Sequence, residues 1–91
     1  MLRVIQVGYG YWGANISNKL VESDKFEFKA LCELLPERRA KARAKLPEKV
    51  DVNDDYTQYL ADDSVDAFVI ATQTENTYEI GMRAMEAGKH V

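Results

Sequence analysis

The sequence predicts an α/β fold, a doubly wound parallel sheet, on three observations. Short apolar runs alternate with helix-forming runs along the whole chain. A glycine-rich turn, Gly8-Tyr9-Gly10-Tyr11-Trp12-Gly13, separates the first apolar run from the first helical one. An acidic residue, Glu33, ends the second apolar run, 20 positions after Gly13 (33 − 13).

Each element has its own warrant. Leu2 to Val7 is short and apolar and stops at Gly8, as a buried strand does. Tyr11 to Ser23 follows as a helix, with Trp12, Ile16 and Leu20 spaced four apart on one face. Phe26 to Cys32 alternates, then turns fully apolar, and predicts the second strand. Pro36 suits a first helical position, Glu37 suits the first turn, and the run Glu37 to Leu46 is rich in helix formers until Pro47. Leu35 offers no capping side chain to that helix. Val50-Asp51-Val52 reads as a short third strand, and Asp54 or Asp55 as the cap of a short helix through Tyr56, Tyr59 and Leu60. Val65 to Ala71 is a nearly continuous apolar strand, as expected when helices cover both faces of a parallel sheet. Asn76 to Glu79 fits a capping box with Asn76 as the N-cap, and Gly88 ends the helix that follows. Lys89-His90-Val91 reads as the start of a fifth strand. Right-handed crossovers then give the strand order 3-2-1-4-5 with an incomplete last strand.

Composition narrows the function. The 91 residues suffice for one small domain, 1–91, with a thin core. Hydrophobic residues make up 46% and charged residues 30%, a globular balance. Twelve basic against fifteen acidic residues, with no long Lys/Arg run, argue against nucleic acid as a partner. One cysteine makes neither an internal disulfide nor a zinc cage, so no metal site is expected. No apolar run is long enough for a membrane helix, and Met1 to Val7 is too short for a signal-peptide core, so the expected location is the cytoplasm.

The chemistry sits in the glycine turn. Gly8 permits the tight exit from the strand, Gly10 lets a pyrophosphate approach the backbone, and Gly13 lets the helix pack on the strand. The free N–H groups at the helix start, with the helix dipole, favour phosphate. Glu33 is placed to accept hydrogen bonds from the adenosine ribose. The plain alternatives are a structural turn for the glycines and a solvated strand-end carboxylate for Glu33. Tyr11 and Trp12 either pack on the helix face or line the groove. Cys32 reads as a buried apolar residue, His90 as a strand-end residue without catalytic duty, and Arg38 to Lys45 as a solvated face from which Arg38 or Arg39 could stack on adenine. No catalytic residue is assigned.

Four stretches together resemble a known family: Val7 to Gly13, Ala30 to Glu33 with Pro36-Glu37-Arg38, Val65 to Thr72, and Glu86 to Val91. They resemble the N-terminal NAD(P)-binding Rossmann half of the Gfo/Idh/MocA oxidoreductases. The resemblance covers essentially the whole chain, and its Glu-Ala-Gly-Lys-His-Val ending is the most family-specific part. It implies hydride transfer between a nicotinamide and a sugar, polyol or nucleotide-sugar carbon. It places Thr72 and Gln73 beside the nicotinamide half and Glu33 at the ribose. Gln73 and Thr77 stand where members commonly carry proline and histidine. It further implies a following Glu-Lys-Pro motif and a substrate domain, so the chain reads as truncated and inactive alone. Such a cut would bare the edge of the Val65 to Ile70 strand and apolar surface there and on the last helix, favouring self-association.

Glu33 favours NAD over NADP, because a carboxylate accepts from ribose hydroxyls and repels a 2′-phosphate; Arg38 works the other way. Two other classes share a glycine loop with a strand-end acid. A non-enzymatic nucleotide sensor is opposed by the family-like ending. A methyltransferase is opposed by the third glycine against the helix.

Overall fold

The computed structural model describes residues 1–72 and 74–91. Strand β1 (Leu2–Val7) leads to helix α1 (Tyr11–Glu22), β2 (Phe26–Cys32), α2 (Pro36–Lys45) and β3 (Asp51–Asn53). A 3-10 turn (Tyr56–Tyr59), β4 (Ala67–Ile70) and α3 (Thr74–Glu86) complete it. The four strands are parallel in the order β3-β2-β1-β4. His90 adds a parallel bridge outside β4: its N–H donates to Asp66 O at 3.0 Å, and Phe68 N–H donates to its carbonyl at 2.8 Å. This is the beginning of the fifth position in the expected order.

Several boundaries move for local reasons. β4 is shorter than Val65 to Ala71, because Val65 N–H closes a turn on Asp62 O. Asp55, not Asp54, caps the 3-10 turn by accepting from Thr57 N–H. Asn76 is not an N-cap: α3 starts at Thr74, with Glu75 as the acid of its first turn. α1 buries Gly13, Ser17 and Leu20; of the expected face, Leu20 is buried and Ile16 packs against the core, while Trp12 is exposed. As expected, Leu35 caps α2 with no side-chain bond.

Each face of the sheet has its own core. Val4, Phe28, Leu31 and Val50 pack with Leu20 of α1, Ala42 of α2 and Leu46, which follows α2. Ile5, Val7, Ala30, Cys32 and Phe68 pack on the other face with Tyr59, Ile80 and Ala84. Strand residues alternate between the faces, with one break. The β1–β2 register shifts between Val4 and Ile5, where Phe28 and then Ala30 are the partners, so Lys29 is an extra residue. Beyond this bulge the odd-numbered Leu31 takes the face that Phe28 held. Val65, Ala67 and Phe68 are buried, so the expected bare apolar surface is absent at these positions, while Val69 and Ile70 are half-buried; on the last helix Tyr78, Met82 and Met85 are exposed.

Arg3 on β1 ties the start of β4. Its Nε donates to Asp66 Oδ2 at 3.0 Å and its Nη2 to Oδ1 at 3.1 Å, while its backbone N–H also donates to Oδ2. The Arg3 side-chain bond, then the backbone bond, hold the Asp66 carboxyl down at about 2. The folded state thus favours the ionised form, so this contribution is whole above about pH 4 and is lost as pH falls toward 2. Thermal midpoints should drop on acidification through that window, and Asp66→Asn should flatten the drop. An unchanged slope in the variant would contradict the pairing.

Candidate functional site: the cleft over the glycine turn

The turn is built by close approach. Gly8 has φ +101°, a conformation that favours glycine, and its N–H donates to Cys32 O at 2.8 Å. A Cβ there would collide with the Ala71 carbonyl at the end of β4. A Cβ on Gly13 would sit 2.6 Å from Gly8 O, so α1 can start only directly over the end of β1. Gly10 is the N-cap, no side chain bonds to the helix start, and the first turn holds no acid. The first-turn amides of Tyr11, Trp12 and Gly13 therefore lack a protein acceptor among the described residues.

Glu33 follows β2 in the same extended line, its N–H donating to Asn53 O at 2.9 Å. Its side chain is 7% exposed. Oε1 accepts from Tyr9 N–H at 2.7 Å and Oε2 from Leu35 N–H at 3.0 Å. The carboxylate thus staples the glycine turn to the segment that enters α2. Arg38 Nη1 lies 3.9 Å from Oε1, and a Cβ on Gly10 would meet the same nitrogen at 3.3 Å. Arg39 turns away and donates to the carbonyls of Glu33 and Leu34.

A cleft of about 980 Å³ runs across the C-terminal ends of the strands. Gly8, Gly10, Tyr11, Trp12, Gly13, Glu33, Arg38 and Thr72 all line it. Gln73 lies outside the described residues. Tyr11 and Trp12 are exposed and meet edge to face, ring centres 5.4 Å apart, at its rim. Thr72 Oγ1 pairs with Thr77 Oγ1 at 2.9 Å, and Thr77 also bonds to the Thr72 carbonyl. The cleft also takes in Tyr56 and Thr57 from the 3-10 turn and Asn76, Glu79 and Arg83 from α3. Sequence reasoning missed these because they come from elements that carry no motif. It also missed Gln6, whose signal was a lone amide in an apolar strand.

Cys32 is 2% exposed. Burial, with smaller contributions from Asp51, Asp55 and Asp54, pushes its thiol up to about 12. No group of three His, Cys, Asp or Glu among the described residues is arranged to hold a metal.

Residues 2–91 match the model of an oxidoreductase family, GFO_IDH_MocA, by its NAD-binding Rossmann fold. The chain belongs to the Gfo/Idh/MocA family. A curated relative, glycosyl hydrolase family 109 protein 1 of Bacteroides thetaiotaomicron, is 32% identical over 99% of this chain and 21% of its own length. An NAD-binding protein from Listeria innocua is 33% identical, with TM-score 0.85 over 99% of this chain and 26% of that one. Two neighbours below 25% identity share the fold. Scyllo-inositol dehydrogenase from Lactobacillus casei, solved with NAD(H) and scyllo-inositol, is 22% identical, with TM-score 0.85 over 100% of this chain and 27% of its own. Biliverdin reductase from Synechocystis, solved with biliverdin and NADP⁺, is 23% identical, with TM-score 0.88 over 99% and 28%. The chain spans about a quarter of these solved proteins and a fifth of the curated relative.

Two outcomes test this geometry. Gly13→Ala should cost roughly 1–3 kcal/mol of stability, since α1 must lift off Gly8 O; an unchanged denaturant midpoint would contradict the packing. Cys32 should resist thiol reagents at pH 8 in the folded chain and react at once when unfolded. Rapid labelling of the native chain would contradict the buried thiol.

Proposed function

We propose that residues 1–91 are the dinucleotide-holding domain of a longer oxidoreductase. Its reaction would move hydride between a nicotinamide and a carbon of a sugar, polyol or nucleotide sugar. The observation that carries the reading is the cleft itself, where open helix amides and a fixed carboxylate stand at the strand ends of one sheet. Its size lies at the upper end of ordinary ligand pockets.

The residues present fit a dinucleotide. The first-turn amides of α1 would receive the pyrophosphate, over a turn where Gly10 carries no side chain. Glu33 would face the adenosine ribose. Two of a carboxylate's roughly four acceptor positions serve Tyr9 and Leu35, and the others remain for hydroxyls. Tyr11 and Trp12 would cover the phosphates, Arg38 would flank the adenosine, and Thr72 would border the nicotinamide half. When bound, the cofactor supplies a hydride acceptor or donor; the chain's part is to bind and orient it. No catalytic acid or base is assigned to these 91 residues, and turnover is proposed to need the further chain that the relatives have.

Family membership alone leaves NAD and NADP open. The pinned Glu33 supports NAD(H), because a 2′-phosphate would stand against a carboxylate that cannot swing away. Arg38 offsets part of that charge at 3.9 Å. Titration of the chain should show NADH binding tighter than NADPH by about tenfold. Glu33→Gln should shrink that ratio and Arg38→Ala should enlarge it. Tighter NADPH binding that depends on Arg38 would overturn the assignment.

A further inference from the structure

Gln6 is fully buried next to the C-terminal end of β1, among Val4, Ile5 and Val7. An amide taken out of water is costly unless its polar atoms are all bonded, and an aliphatic side chain would fill a strand core without that condition. Here the condition is met entirely by the glycine turn and α1. Nε2 donates to Gly8 O at 2.9 Å and to Gly13 O at 2.7 Å, while Oε1 accepts from Ser17 Oγ at 2.8 Å. The reversed amide would set an oxygen against two carbonyls, so Ser17 and the carbonyls together define one orientation.

We propose that Gln6 is the positioning residue of the phosphate-holding turn. It rests on the dinucleotide reading of the cleft. One NH2 group joins the carbonyl that opens the turn to a carbonyl in the first turn of α1. That bond pair sets the height and pitch of the helix start over β1. Glu33 holds Tyr9 N–H from the other side, so the turn is gripped from within the sheet and from β2. The amides of Tyr11, Trp12 and Gly13 are thereby aligned before any ligand arrives, and binding need not order them. Gln6 touches no ligand; it acts through the backbone.

The experiment compares the chain with Gln6→Met, which keeps the length of the side chain and removes its donors, and with Ser17→Ala, which leaves Gln6 in place but releases its orientation. NADH, ADP and adenosine are titrated against each, and amide hydrogen exchange is followed at Ala14 to Ser17. Gln6→Met should weaken NADH and ADP by about tenfold, the worth of a lost buried hydrogen bond, and leave adenosine unchanged. Exchange at Ala14 to Ser17, the first hydrogen-bonded amides of α1, should quicken while α2 and β3 keep their protection. Ser17→Ala should show the same pattern at a few-fold level, and it carries the test if Gln6→Met does not fold. Equal losses for adenosine and ADP, or unchanged ADP affinity, would overturn the assignment of Gln6. Binding of no dinucleotide by the unaltered chain would instead overturn the reading of the cleft, and the assignment with it.

Discussion

Everything in this site depends on one contact: α1 begins where β1 ends, with no room for a side chain between them. Gly8 sits under the Ala71 carbonyl and Gly13 sits on the Gly8 carbonyl. This approach ties β1 and α1, which follow one another in sequence, to the distant end of β4. It also leaves the helix start uncapped, because Gly10 has no side chain to give and the first turn has no acid. A helix end left open is a cost in a structural helix. At the strand ends of a parallel sheet it is an anion site in waiting.

The close approach would be a loose hinge without polar support. Gln6 grips it from below and Glu33 from the side, both with short bonds to backbone atoms. The aim of Glu33 in turn depends on the bulge at Lys29. Without that extra residue, β2 would carry its end residues to the opposite faces, and Glu33 would follow. A register shift in the middle of a strand thus positions a carboxylate four residues later, beside the turn it staples.

Much of this was legible in the sequence. β1 and β2 have the expected bounds, since Gly8 and Glu33 mark where apolar runs stop. The strand order follows from crossover handedness, and the glycine spacing located the cleft. What escaped was set by tertiary geometry. Trp12 keeps helical spacing with Ile16 and Leu20, but it lies in the first turn at the rim of the cleft, so it is exposed where they are not. Asn76 satisfies a capping pattern inside a helix that had started two residues before it. The roles of Asn76, Glu79 and Arg83 at the cleft arise because α3 flanks it, which no local motif encodes. Gln6 stood out only as a polar letter in an apolar run, and its partners became visible with the turn folded over it.

The central account is that the glycine turn, the carboxylate beside it and the end of β4 form one dinucleotide seat. The most direct measurement is residue-by-residue amide shift mapping of the isotope-labelled chain with NADH. The account predicts the largest changes at Gly8 to Ala14, at Glu33 to Arg38 and at Thr72, with the α2–β3 connection and the outer face of α3 undisturbed. Saturable changes confined to other surfaces, or none at millimolar NADH, would contradict it.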